Sequence, residues 1–132
     1  MPPTTSNTTT VGIKEAFMTA KSVLQGLGWS SRDAEIQAEI MMFAERHGNN
    51  QGLVKLFDPQ QMAPSSSASA PEIEKEGATS AVINGHQSPG MIALRRGIEV
   101  AREKAKNSGL AIVGMLTKPS LTILLHGTVC KG

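Results

Sequence analysis

Apolar residues in the first third of the chain recur at alternating three- and four-residue steps, the spacing typical of amphipathic helices. One such stripe predicts a first helix over about 11–27. A second helix is predicted from Ser30, a good N-cap, to about Arg46, with Asp33 placed to stabilise its first turn. Joined by a short link, the two form an antiparallel helical hairpin. The apolar residues predicted to form its buried surfaces are Ile13, Phe17, Ala20, Leu24 and Leu27 in the first helix and Ala34, Ile36, Ala38, Ile40, Met41, Met42 and Phe43 in the second.

The second half of the chain contains short extended runs bounded by turn residues, which is the pattern of strands. Residues 72–76 and 79–83 predict a β-hairpin. Residues 110–116, LAIVGML, form a continuous apolar run and predict an internal strand buried on both faces. Beyond it, only 122–125 and Val129 indicate another strand.

A third helix is predicted between these strands. Ser88 supplies an N-cap and Pro89 occupies the first helical position. Gly109 is expected to end the helix in the left-handed conformation. Strand, helix and strand then form one crossover unit, expected to be right-handed. The fold class predicted from these elements is α+β, with a helical hairpin, a β-hairpin and a strand-helix-strand unit. The residues predicted to form the buried stripe of the third helix are Leu94, Ile98, Ala101 and Ala105.

Three segments lack a helical or strand pattern. Residues 1–10 are predicted to be a disordered tail. Residues 53–57 form an apolar and basic stretch that the pattern leaves unassigned, and 58–71 contain prolines and a Ser/Ala run typical of an exposed linker.

Composition narrows the function classes. At 132 residues, the chain has room for one domain, or one domain and a fragment. Its 13 basic and 11 acidic residues leave a formal charge of +2, which gives no electrostatic reason to expect nucleic acid or an anionic membrane as partner. No stretch approaches the roughly 20 apolar residues of a membrane span, and no signal peptide is visible, so a cytoplasmic location is expected. The single cysteine, Cys130, excludes an internal disulfide.

Isolated polar residues give weak indications of chemistry. His126 and Cys130 are four residues apart, but two ligands do not make a metal site, and none is predicted. Arg95, Arg96 and Arg102 form either a solvated helix face or a site for a cofactor phosphate. His47 is predicted to be a cation at the end of a helix, and His86 is predicted to lie in a turn exposed to solvent.

Four stretches, in this order, resemble the type 2 malate/L-lactate dehydrogenases, a family that includes ureidoglycolate and sulfolactate dehydrogenases and reductases of cyclic imino acids. They are GLGWSSRDAEIQAEIMMFAE at 26–45, RHGNNQGLVKL at 46–56, EKEGATSAVINGHQSPG at 74–90 and REKAKNSGLAIVGM at 102–115. The resemblance implies NAD- or NADP-dependent oxidation and reduction of small 2-hydroxy and 2-keto acids. It also implies a nicotinamide-binding domain without a Rossmann fold, which agrees with the absence of GxGxxG here.

Members of this family are much longer and usually form homodimers, so the resemblance implies a truncated, N-terminal part of the family architecture. On that basis 11–57 are a helical N-terminal domain and 72–118 are the start of the cofactor-binding α/β domain. Residues 119–132 are then a divergent tail. A homo-oligomer is expected, and no cofactor is expected to bind tightly to this chain alone.

The second stretch matches the substrate-binding turn of the family. The family commonly reads Arg-Gly-x-Asp-Ser-His-Gly there, with an arginine three residues further on. Asn50 and Gln51 stand in place of the serine and histidine, and Lys55 in place of the arginine. The resemblance therefore implies that these three residues hold the substrate carboxylate and carbonyl. The alternative is an ordinary helix C-cap at Gly48 and Asn49 followed by a polar loop.

The family's catalytic histidine has no counterpart here. After the strand the family usually reads Asn-Ser-Ser-His-Phe-Gly, and Ser120 stands at the position of the histidine. A serine hydroxyl is not a general base near neutral pH without a helper, so the catalytic residue is unknown. Two hypotheses follow: an oxidoreductase of the family type, and a catalytically inactive fragment that at most associates with a full-length relative.

Overall fold

A computed structural model describes residues 9–117 and the backbone of residues 120–127. Helices and strands follow the predicted order, which confirms the α+β fold class. The predicted tail at 1–10 falls almost entirely outside the described residues, as do Val129 and Cys130. The elements are α1 (Ile13–Gly26), α2 (Ser31–Arg46), a 3-10 helix (Leu53–Phe57), the one-turn helix α3 (Pro59–Met62), β1 (Glu72–Glu76), β2 (Ser80–Asn84), α4 (Gly90–Ser108), β3 (Leu110–Thr117) and β4 (Ser120–Gly127).

The helical hairpin forms as predicted. Ser30 caps α2 by accepting a hydrogen bond from the Asp33 backbone N–H at 3.1 Å. Two residues of the predicted stripes are exposed instead of buried: Ile13 at 59% and Phe43 at 64%. Ile13 lies nearly two turns before the first fully buried residue of α1. Phe43 lies about 200° around the helix from the buried Met41. The residues that form the core of the hairpin are Ala20, Leu24, Ala34, Ala38, Met41 and Met62.

The segment between α2 and β1 is more ordered than the linker composition predicts. The unassigned stretch is the 3-10 helix, and α3 follows it. Met62 is buried in the hairpin core, and its carbonyl oxygen accepts a hydrogen bond from Trp29 Nε1 at 2.6 Å. The prediction of an exposed linker is therefore wrong at Met62. Elements of about one turn are too short to produce a periodic pattern. The proposed domain boundaries stay predictions.

The four strands form one sheet in the order β1-β2-β3-β4. β1 is antiparallel to β2, β2 is parallel to β3, and β3 is antiparallel to β4. The parallel pair is joined through α4, which confirms the crossover unit. β4 runs over eight residues, longer than the sequence indicated.

The ends of α4 show one correct prediction and one error. Gly109 adopts the left-handed conformation predicted for the cap, with φ +80°. Ser88 does not cap the helix. Pro89 is the N-cap instead of the first helical residue, because its ψ of 141° is extended and not helical.

One face of the sheet packs against α4 and the other is exposed in the described part of the chain. The residues of the sheet core are Ala81, Ile83, Val100, Ala101, Ala105, Ala111, Val113 and Met115, with Leu94 half-buried beside them. Leu110, Ile112 and Leu116 alternate with the buried residues of β3 and are 51%, 45% and 40% exposed. The prediction that β3 is buried on both faces is therefore wrong, because α4 covers one face only.

Candidate functional site

The turn that follows α2 is held by a left-handed glycine cap. Gly48 has φ +77°. Its N–H donates to the Glu45 carbonyl at 3.1 Å, and the Asn49 N–H donates to the Ala44 carbonyl at 2.9 Å. These two bonds form a Schellman cap. His47 lies at the helix end as predicted, with Nδ1 2.7 Å from the Phe43 carbonyl and its ring stacked on that of Phe43. The helix C-cap expected at Gly48 and Asn49 is therefore present, and the same cap directs the chain that follows.

The turn brings the two predicted amide residues together. Gln51 Nε2 donates to Asn50 Oδ1 at 3.2 Å, and the Gln51 backbone N–H donates to Asn49 Oδ1 at 3.0 Å. Both Asn50 and Gln51 are exposed. Within the described residues, Asn50 Nδ2 and Gln51 Oε1 have no partner, so the pair offers a free amide NH2 group and a free carbonyl oxygen to a ligand.

Two residues that sequence reasoning missed fix the far side of this turn. Glu45 Oε1 accepts a hydrogen bond from the Leu53 backbone N–H at 2.8 Å. Gly52 is buried, and a Cβ at this position would lie 2.4 Å from the Met41 carbonyl oxygen. The close approach requires glycine and packs the turn against the end of α2. The only sequence signal for this arrangement is the glycine itself.

Lys55 lies in the 3-10 helix and is exposed. Its ammonium group makes no hydrogen bond or ion pair with any residue that the structure describes, including Asn50 and Gln51. The structure therefore brings the two amides together and places Lys55 four residues further along the chain, as an available cation.

Ser120 begins β4 and is paired with Thr117, where the parallel strands β2 and β3 end. The turn before α4 lies at this same end of the sheet, because the Gly85 N–H donates to the Leu116 carbonyl at 2.9 Å. Crevices at the carboxyl ends of parallel strands are common ligand sites. The side chain of Ser120 lies outside the described residues.

Comparison with known proteins identifies the family of this chain. The family model for malate/L-lactate dehydrogenase matches residues 11–124. The chain belongs to this family. It is 34% identical over 98 residues to a malate/(S)-sulfolactate dehydrogenase from Methanothermus fervidus, covering 70% of this chain and 29% of that protein.

Solved structures of a malate dehydrogenase and of a reductase share the fold. Malate dehydrogenase from Pyrococcus horikoshii OT3 matches 80% of this chain with a TM-score of 0.72 and 26% identity. The Δ1-piperideine-2-carboxylate reductase from Pseudomonas syringae pvar. tomato matches 82% with a TM-score of 0.67, and at 22% identity this shows the fold alone. The matches cover 31% and 34% of those chains. The chain thus spans about a third of the length of these proteins.

Residues 85–89, the turn before α4, offer few free backbone N–H groups to the pyrophosphate of a dinucleotide. Such a group is bound by free backbone N–H groups at a helix N-terminus. Here the Gly85 N–H is used by Leu116, the His86 N–H donates to Asn84 Oδ1 at 3.0 Å, and the Ser88 N–H donates to the Gly85 carbonyl at 2.8 Å. Pro89 has no N–H. We therefore derive no chemical step through a cofactor from the described residues.

Of the remaining polar candidates, Arg95, Arg96 and His86 make ion-pair contacts within the fold, whereas Arg102 is exposed. Arg95 pairs with Glu39 of α2, and Arg96 lies 3.7 Å from Glu99. His86, predicted to be merely solvated, is half-buried, with Nε2 3.5 Å from the Glu72 carboxylate. Among the described residues there is no group of three potential metal ligands. No helix in that same part of the chain is long and apolar enough to cross a membrane.

Proposed function

We propose that this chain carries the substrate-binding turn of an oxidoreductase that interconverts small 2-hydroxy and 2-keto acids with NAD or NADP. The observation that carries the proposal is the pair of exposed amides at Asn50 and Gln51 on a turn fixed by Glu45 and Gly52. Family membership supplies the reaction class, since its named members act on malate and sulfolactate.

The chemistry of a 2-keto acid matches the groups on this turn. Its carboxylate needs a cation, for which Lys55 is available. Its carbonyl oxygen accepts hydrogen bonds, and Asn50 Nδ2 is an available donor. A lysine binds a carboxylate as a point charge and lacks the bidentate fork of arginine, so the turn binds its substrate with less directional control than an arginine would give. When bound, the nicotinamide supplies the hydride, and the residues of this turn bind and orient the acid.

The second candidate is a chain without catalytic activity of its own that associates with a second copy or a longer relative. It is favoured by the exposed apolar face of β3 and by the few free backbone donors that the turn before α4 offers to a dinucleotide. Both candidates share the substrate turn and differ in whether this chain turns substrate over. A cytoplasmic location and a homo-oligomer remain predictions.

The test of the proposed turn is a binding experiment that needs no cofactor. The protein labelled with ¹⁵N is titrated with malate and with pyruvate while the side-chain amide resonances of Asn50 and Gln51 are followed by NMR. We expect saturable shifts of both resonances. The variant Lys55→Met should weaken the binding several-fold, because the ion pair with the carboxylate is lost.

The matched control is Lys14→Met. Lys14 is an exposed lysine on α1 whose replacement removes the same charge. It should leave the titration unchanged. Shifts that avoid residues 46–55, or equal effects of the two lysine variants, would remove the basis for assigning substrate binding to this turn.

A further inference from the structure

A second site is indicated where the helical hairpin meets α4. A cavity of about 490 Å³ lies between the first turn of α2, the 64–71 segment and the first half of α4. This volume is within the range of pockets that hold small molecules, and such pockets favour the boundary between two cores. The larger apolar residues of its wall are Trp29, Ile36, Pro64, Pro71, Pro89 and Ile92.

The cavity is separate from the substrate turn. It touches α2 through Arg32, Asp33 and Ile36, in the first two turns of that helix. The substrate turn follows the other end of α2, sixteen residues along. At 1.5 Å per residue the helix places roughly 20 Å between them. The cavity is therefore not accounted for by the proposed function.

Cations and a flat apolar wall meet in this cavity. Arg32, Arg95 and Arg96 line it, against Asp33 and Glu99. Arg95 and Arg96 are held by Glu39 and Glu99, whereas Arg32 has no hydrogen-bond or ion-pair partner in the described part of the chain.

The tryptophan of the wall is fixed in place, because Trp29 Nε1 donates to the Met62 carbonyl at 2.6 Å. Its ring is then a preorganised surface for a planar group. Asp33, the nearest carboxylate in sequence, is engaged with the Ser30 hydroxyl at 2.9 Å as part of the helix cap.

We propose that this cavity binds a small aromatic carboxylate. The ring packs against Trp29 and the prolines, and the carboxylate pairs with the guanidinium of Arg32. A planar carboxylate suits an arginine, whose donors form a fork of matching geometry. A ligand here contacts both the hairpin and α4, and so binds across the two cores of the fold.

Trp29 is the single tryptophan of the chain, so its fluorescence reports on this cavity directly. The protein as it stands, without cofactor, is titrated with benzoate, with benzamide and with acetate under excitation at the red edge of the tryptophan band. Benzamide keeps the shape of benzoate without its charge, and acetate keeps the charge without the ring. We expect a saturable change with benzoate, roughly 3- to 10-fold weaker binding of benzamide, and no saturation with acetate at the same concentrations.

Two variants test whether Arg32 is the cation that pairs with the carboxylate of benzoate. Arg32→Gln should weaken benzoate binding by a similar factor and leave benzamide binding unchanged. Lys14→Gln removes the same charge from the exposed surface of α1 and should have no effect. Circular dichroism establishes that both variants fold.

Three results would overturn the proposal: no saturable response to benzoate, equal binding of benzoate and benzamide, or equal effects of the two variants. None of these measurements depends on the substrate turn, so the failure of this proposal leaves the proposed function standing, and the reverse also holds.

Discussion

The carboxylate of Glu45 accepts a hydrogen bond from the backbone N–H of Leu53 at 2.8 Å, joining the last turn of α2 to the 3-10 helix that carries Lys55. The Schellman cap at Gly48 fixes the same stretch at its other end. The candidate substrate turn is therefore a closed structural unit with Asn50 and Gln51 at its exposed side. Its geometry depends on the tight packing of Gly52 beneath it.

The first prediction concerns that packing. In Gly52→Ala the new Cβ would lie 2.4 Å from the Met41 carbonyl and 3.2 Å from Glu45 Cγ, so the turn must move. We expect the free energy of unfolding to fall by about 1–3 kcal/mol, as in overpacked cores. Gly26→Ala is the matched control, because nothing lies within 4 Å of its Cβ position at the end of α1. Urea unfolding should show it unchanged or stabilised by up to about 1 kcal/mol.

The second prediction concerns Gln37, a buried polar side chain in the middle of α2. Its Oε1 has no hydrogen-bond partner, and its Nε2 donates to the Asp33 carbonyl at a long 3.3 Å. Gln37→Met keeps the length of the side chain and removes the unpaired oxygen. We expect the free energy of unfolding to rise by about 0.5–2 kcal/mol, since an unsatisfied buried acceptor is destabilising. Gln37→Glu should be strongly destabilised near neutral pH. A large loss of stability in Gln37→Met would show that the amide has a partner, such as a water molecule.

Sequence reasoning mostly succeeded where local chemistry decides structure, although it misplaced the N-cap of α4 at Ser88. The Ser30 cap, the Gly109 cap and the order of strands and helices are set by near neighbours in the chain, and the structure has them as predicted. It failed where contacts between elements far apart in the chain decide which residues are buried. No local pattern says that α4 covers one face of β3 only, which leaves Ile112 exposed.

Some features of the candidate site could likewise be predicted from the sequence, and others could not. The Gly48 cap and the proximity of Asn50 to Gln51 could be expected from their position in the chain. The hydrogen bond that the Leu53 N–H donates to Glu45 could not, because it spans eight residues and requires the turn to fold back on the helix. The cavity beside Trp29 combines residues from three separate segments, and no sequence motif signals it.

The third prediction is a pH dependence in the helical hairpin. Lys21 Nζ lies 2.6 Å from Glu35 Oε2, and this hydrogen bond, with the charge of Lys21, lowers the pKa of Glu35 from its ordinary value of 4.5. A carboxyl group whose pKa is lowered by folding stabilises the folded state above its unfolded pKa. That contribution declines below about pH 4.5 and is lost as the pH falls through the lowered value. The variant Lys21→Met should raise the pKa of Glu35, which NMR titration of the carboxyl carbon measures.

The same variant also tests the stability linkage. The difference in unfolding free energy between the parent protein and Lys21→Met should be present at pH 7 and should shrink as the solution is acidified below the lowered pKa of Glu35. It should also shrink at high salt, because the pair is partly exposed to solvent. A difference that is constant from pH 7 to pH 2 would show that packing of the Lys21 stem, and not the ion pair, is responsible.

The fourth prediction is self-association through the exposed face of the sheet. Leu110, Ile112 and Leu116 alternate along β3 and form an apolar row on the face opposite α4. We expect the protein to associate with itself as its concentration rises, because such rows favour contact with another apolar surface. Ile112→Thr keeps the β-branched shape suited to a strand and should shift light-scattering and size-exclusion profiles toward the monomer.

The control for this experiment is Val23→Thr, a similar change at a residue of α1 that is 39% exposed and lies outside the sheet. It should leave the association unchanged. A compact monomer at all concentrations in the parent protein, or an equal effect of the two variants, would exclude the sheet face as the contact surface.

The last prediction is that this chain, assayed alone, shows no measurable nicotinamide-dependent reduction of pyruvate, oxaloacetate or a cyclic imino acid. Two effects contribute, and their magnitudes differ. Replacing the family's histidine by Ser120 removes a general acid, which typically costs about 10²–10⁴ in rate. A cofactor that is not positioned costs far more, because holding the reactants together can supply roughly 10⁵–10⁸ M of effective concentration. The turn before α4 offers few free backbone donors to a dinucleotide, and the chain spans about a third of the length of its relatives, so we expect the second effect to dominate.

This ranking can be tested with Ser120→His. Restoring the histidine should leave the chain inactive, since the hydride source is still not held beside the substrate. The decisive assay follows the absorbance of reduced cofactor against a buffer control. Turnover by the parent chain would contradict the prediction. Turnover gained only in Ser120→His would show that the missing general acid costs more rate than the unpositioned cofactor. If the parent chain is active, Lys55→Met should raise KM for the keto acid, whereas unchanged kinetics would mean that residues 46–55 do not bind it.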